Sequence, residues 1–131
     1  MTVKDWTEIS VFDGLDLSES FVLSWHRGQD LLSFEVEFLV CESHPAYQPP
    51  APGEWACFKK GKLEFPDVVR VLGLRSMRAV KPAIDATGER DYGHFDTFSE
   101  VGSGEFKFEG DFGEVRVVSR NPSVEISLGG T

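Results

Sequence analysis

Apolar and polar residues alternate with period two along most of the chain, and no stretch of a dozen residues keeps a helical period, so the sequence predicts a β protein. In "FVLSWHRGQDLLSFEVEFLV", Phe21, Leu23 and Trp25 fall on one strand face, and Leu32, Phe34, Val36 and Phe38 share one face of the next. A two-residue loop at Gly28-Gln29 sets Trp25 opposite Leu32, Leu23 opposite Phe34 and Phe21 opposite Val36. Glycine first is what a type II′ turn needs.

The segment "GEFKFEGDFGEVRVVS" reads as a second hairpin. A loop at Gly110-Asp111 places Lys107 opposite Glu114, Glu105 opposite Arg116 and Phe106 opposite Val115. A loop at Asp111-Phe112 opposes Lys107 to Arg116 instead, and the cross-strand charge rule favours the first register. Beyond the Asn-Pro turn of "SRNPS", Val124, Ile126 and Leu128 extend this hairpin into a three-stranded meander.

The middle is less regular. "EWACFKKGKLEF" predicts two short strands around Lys60-Gly61, "DVVRVLGL" another, and "MRAVKPAID" one that Pro82 confines to an edge or an end. "ATGERDYG" reads as a polar loop, "HFDTFSEV" as a strand, and "DGLDLSES" has room for one helical turn. About ten strands with little helix suit a single-domain antiparallel β-sandwich or barrel over residues 1–131.

Composition narrows the partners. The 131 residues carry 13 Lys plus Arg against 22 Asp plus Glu, a formal charge of −9 that repels phosphate backbones and anionic lipid. The expectation is no nucleic acid and no membrane, and instead a partner protein with a basic surface. "MTVKDWTEIS" lacks the basic and apolar regions of a signal peptide, and no apolar run approaches about 18 residues, which predicts a cytoplasmic protein. In that compartment Cys41 and Cys57 are expected as thiols.

Candidate chemistry is sparse. Cys41, His44 and Cys57 surround the proline-rich loop "HPAYQPPAPGE", but one Cys-x₂-His pair and a lone cysteine fall short of the paired ligands a zinc site uses. No metal and no cofactor is expected. Glu35 and Glu37 sit two apart on one strand face, the pattern of a solvated face as well as of paired catalytic carboxylates. Asp85, Glu89, Asp91 and Asp96 are spaced for calcium, yet Arg90 stands where an EF-hand loop needs its glycine. "VGSGEF" is neither a nucleophile elbow nor a phosphate loop. Trp6, Trp25 and Trp55 could stack a sugar, although Trp25 already has a core-facing place.

"LDLSESFVLSW", "HPAYQPPAPGEWACF", "ATGERDYGHFD" and "EGDFGEVRV" together resemble a family of small uncharacterised bacterial proteins over nearly the whole chain. The resemblance implies a bacterial origin and no particular activity. Leu17-Ser18-Glu19-Ser20 is also similar to the Leu-His-Asp-Ser opening of toxin-immunity-type proteins, with Ser18 and Glu19 in place of the histidine and aspartate. Three functions follow. The first is a non-enzymatic protein-interaction module with an acidic surface, immunity-like in type. The second is a small-ligand binder, and the third an enzyme using His44, His94 and nearby carboxylates. The residues expected to carry binding are Glu35, Glu37, His44, Tyr47, Trp55, Asp91, Tyr92 and His94.

Overall fold

The alternation predicted from sequence is realised as two facing antiparallel sheets in the computed structural model, which describes residues 3–127. In chain order the strands are β1 Lys4–Asp5, β2 Leu15–Arg27, β3 Leu31–Val40, β4 Cys57–Pro66, β5 Arg70–Leu72, β6 Ala83–Ile84, β7 Arg90–Asp91, β8 Thr97–Gly102, β9 Glu105–Gly110, β10 Gly113–Val118 and β11 Ser123–Ile126. One sheet runs β1-β8-β9-β10-β5, the other β11-β4-β3-β2, and β6-β7 form a small separate arm. The helical content of the described residues is three single 3-10 turns. The fold is mainly β and sandwich-like, and the described residues form no closed barrel and no helix long and apolar enough to cross a membrane.

Phenylalanine fills the space between the sheets. Phe34 on β3 and Phe65 on β4 each lie 5.5 Å, ring to ring, from Phe108 on β9, and Phe98 on β8 stacks on Phe108 at 5.1 Å. Phe95 and Phe112 join this cluster, and all six of these rings are buried. Such rings contribute by the area they remove from water and by edge and offset contacts at these spacings.

The β2–β3 hairpin is real, but its loop is Gln29-Asp30, closed by the Gly28 N–H donating to the Leu31 carbonyl at 2.7 Å. Gly28 has no positive φ, so it cannot begin a type II′ turn. Trp25 therefore opposes Phe34, and Arg27 opposes Leu32. A bulge at Leu23 then changes the faces: Val22 turns inward opposite Val36, and Phe21 turns out beside Glu37. Farther back, where the helical turn was expected, Leu15 and Leu17 are strand residues buried in the core. A second irregularity there is bridged by the buried Ser20 hydroxyl, which donates to the Asp16 carbonyl and accepts from the Leu39 N–H.

The β9–β10 loop is Asp111-Phe112, so Lys107 does oppose Arg116, and Glu109 opposes Glu114. The expected register would leave Phe112 on the outer face beside Glu109. The observed one folds its ring into the core and pairs Phe108 with Val115 and Phe106 with Val117. Burying one Phe is worth about 1.5–3 kcal/mol and a cross-strand charge pair only about 0.2–1, so burial decides.

β11 leaves the expected meander and crosses to the other sheet, where Val124 opposes Leu63 and Ile126 opposes Gly61. The crossing starts as Arg120 N–H reaches the Pro66 carbonyl at the end of β4. Leu128, expected on this strand, lies outside the described residues. β4 itself is one continuous strand. Gly61 is its interior point of closest approach to β11, because a Cβ there would run into the Glu125 carbonyl oxygen. The strand expected in "MRAVKPAID" is a 3-10 turn, Met77–Ala79, with the Ser76 hydroxyl accepting from the Arg78 N–H, followed by the two-residue β6.

Candidate functional site

Outward residues of β2, β3 and β4 build the surface on which most of the predicted binding residues meet. Across β3 and β4, Glu35 opposes Lys62, Glu37 opposes Lys60, and Leu39 opposes Phe58. The Leu23 bulge adds Phe21 next to Glu37. An aromatic row results: His94 to Phe21 at 4.5 Å, Phe21 to Phe58 at 5.8 Å and Phe58 to Trp55 at 5.6 Å. Trp55 ends the row 72% exposed.

The β6–β7 arm stands over the other end of this row. It is anchored by a strand-like exchange in which Tyr92 N–H donates to the Val22 carbonyl and Val22 N–H to the Gly93 carbonyl. Between arm and sheet lies a hollow of about 150 Å³ lined by Phe21, Leu23, Glu37, Asp85, Glu89, Arg90 and Asp91. Burial pushes the Glu37 carboxyl above the ordinary glutamate range; Glu89, Asp85 and Asp91 add to the shift, and Lys60 opposes it. Lys60 bonds Glu89 at 3.0 Å, which raises the lysine's own pKa. Asp85 is held low by hydrogen bonds from the Thr87 hydroxyl and the backbone of Glu89, Thr87 and Gly88. The result is an acidic rim beside half-buried aromatic rings that lead to the exposed Trp55. That combination suits stacking and pairing with a cationic side chain.

The remaining predicted residues disperse. Tyr92 is buried with its ring 5.0 Å from Trp25, and Tyr47 packs part-buried against the core. His44 lines a separate hollow of about 320 Å³ with Val11, Pro45, Ala46, Val124 and Ile126, its Nδ1 accepting from the Ala46 N–H. His94, by contrast, stays in the row, its Nδ1 set 2.9 Å from the Ser20 carbonyl. Cys57 is buried opposite Val40, and Cys41 follows β3 half-exposed, its thiol pKa raised by burial and then by the Asp16 carboxylate. Among the described residues no three His, Cys, Asp or Glu side chains converge in metal-binding geometry.

Sequence reasoning missed Phe21 and Phe58. Period-two alternation carries no sign of a bulge, and Phe58 reads as part of a short strand before a turn. Of the calcium-spaced run, Asp85, Glu89 and Asp91 do gather around Glu37, whereas the backbone N–H of Asp96 bonds the Glu109 carbonyl. Compared with models of protein families, with characterised proteins and with solved structures, the chain matches none.

Proposed function

We propose that the chain is a non-enzymatic interaction module that docks a basic segment of a partner protein on the outer face of β2, β3 and β4. The observation that carries this reading is the row His94, Phe21, Phe58 and Trp55 running from the carboxylates of Glu37, Glu89 and Asp91 to an exposed tryptophan. Exposed aromatic residues beside charge are the composition of interface anchors. The formal charge of −9 adds long-range attraction for a cationic partner. The likeness of Leu17–Ser20 to immunity-type proteins points to the same class.

The test is co-purification from the native host at low salt, followed by titration of the recovered protein against the wild type and Trp55→Ala. A stoichiometric basic partner is expected, bound at least about tenfold more weakly by the variant and progressively released as salt screens the charges. Equal binding by Trp55→Ala refutes the site. Absence of any stoichiometric partner refutes the reading.

A further inference from the structure

A second surface has the opposite electrical character. Where β2 ends, the segment after β5 passes over the edge of Trp25, held by two bonds to other parts of the fold and one within itself. The Trp25 indole N–H donates to the Arg75 carbonyl at 2.9 Å, the Arg75 N–H donates to the Phe112 carbonyl at 2.8 Å, and the Arg75 guanidinium reaches the Ala79 carbonyl at 2.8 Å. Between this segment and the strand lies a cleft of about 580 Å³. Trp25, Leu74 and Met77 supply apolar lining, and Arg27, Arg75 and Arg78, with His26, supply the polar part.

Among the described residues no aspartate or glutamate lines the cleft, in a chain where acidic residues outnumber basic ones by 22 to 13. None of the three arginines has a carboxylate within ion-pair distance among the described residues, where the pairs are Lys60–Glu89, Arg116–Glu105 and Arg120–Asp67. Arg27 and Arg75 are steadied by main-chain carbonyls. Each guanidinium has five N–H donors, so most of theirs remain for a ligand. Carbonyls orient these groups without neutralising them. The volume lies within the range of small-molecule sites, and the mix of apolar wall and a few fixed polar groups is the usual make-up of one.

We propose that this cleft binds a small organic anion, a carboxylate or phosphate carried on a flat apolar body. The body lies against Trp25, Leu74 and Met77. The anionic group is gripped by Arg27 and Arg78, the two arginines whose guanidinium groups do not tie the segment in place, with Arg75 behind them. Arginine suits both headgroups, because its planar fork bonds two oxygens at once.

Calorimetric titration with 2-naphthoate, 2-naphthyl phosphate and neutral 2-naphthol tests this. One or both anions are expected to bind with 1:1 stoichiometry, and the stronger of them identifies the headgroup. 2-Naphthol is expected to bind at least about tenfold more weakly, since it forfeits the charge-assisted bonds. Arg27→Gln/Arg78→Gln is expected to lose at least about tenfold in affinity for the anion, while Arg120→Gln, which removes a positive charge from the surface pair with Asp67, leaves it unchanged. Both changes lie on exposed side chains, and an unaltered melting temperature checks that the fold is intact. Naphthol binding as tightly as the anions, affinity retained in the double variant, equal loss in Arg120→Gln, or no binding at millimolar concentration each overturns the proposal.

Discussion

The indole N–H of Trp25 donates to the main-chain carbonyl of Arg75, 2.9 Å away and 50 residues along the chain. Trp25 is only 8% exposed, and its ring also lies 5.0 Å from Tyr92 and 6.0 Å from Phe112. One side chain thus ties the four-stranded sheet, the β6–β7 arm and the 73–80 segment together. Trp25→Phe keeps most of the apolar area but leaves the carbonyl without its donor. We expect a loss of about 1–3 kcal/mol in urea unfolding with an unchanged denaturant slope. A change under about 0.5 kcal/mol, the range of ordinary surface substitutions, would mean that water replaces the bond at no cost.

Glu114 directly opposes Glu109 on the outward face of β9 and β10. Glu114→Lys converts a like-charge pair into an attractive one and is expected to stabilise the protein by about 0.2–1 kcal/mol. With the loop one residue earlier, Glu114 would face Lys107 and the same change would destabilise. The sign of the shift in the unfolding midpoint therefore reads the register directly.

Glu37 supplies a pH dependence. Its carboxyl pKa is raised in the folded chain, first by burial and then by Glu89, Asp85 and Asp91 against the opposing Lys60. The folded state holds this proton to higher pH than the unfolded state does, so the group's contribution to stability is fully present below the ordinary glutamate pKa. It is lost as pH rises through the raised value. Glu37→Gln removes that titration, so the variant should gain stability relative to wild type across this window. Parallel stability curves for the two proteins over that range would refute the assignment.

The two thiols should differ sharply. Cys57 is buried, while Cys41 is half-exposed with its thiolate disfavoured by burial and by Asp16. Ellman's reagent at mildly alkaline pH should titrate one thiol in the folded protein, more slowly than a free cysteine, and both in denaturant. Cys41→Ser should abolish the native reaction, and Asp16→Asn should accelerate it. Two native thiols reacting at equal rates would contradict the burial of Cys57.

On β3, strand existence and facing were legible in the sequence because one buried face imposes period two. Phe34, Val36, Phe38 and Val40 on β3 all lie inward as the alternation requires. Register was not legible, because the features that set it are not periodic. Leu23 is the extra residue of a bulge, and Phe112 sits in a turn yet belongs to the core. Gly61 resembles a turn glycine but lies mid-strand, where a distant backbone presses on it. The acidic half of the candidate site was visible as Glu35, Glu37 and Asp91. Its aromatic half depended on the bulge that turns Phe21 outward. The arginine cleft draws Arg27, Arg75 and Arg78 from two segments far apart in sequence, which the Trp25–Arg75 bond helps bring together.

The crossing of β11 also has a consequence in time. β2, β3 and β4 can zip locally, as can β8, β9 and β10, but the ladder between Gly61 and Ile126 joins the two halves and requires closing a long loop before it returns any contact. Such a ladder belongs late on the folding pathway. Gly61→Ala, which forces β11 away from β4, should therefore accelerate unfolding several-fold in stopped-flow measurements and leave the refolding rate nearly unchanged. A matching drop in the refolding rate would instead place the crossing in the nucleus. The last strand of the sandwich thus acts as its latch, setting how long the folded state lasts rather than how fast it is reached.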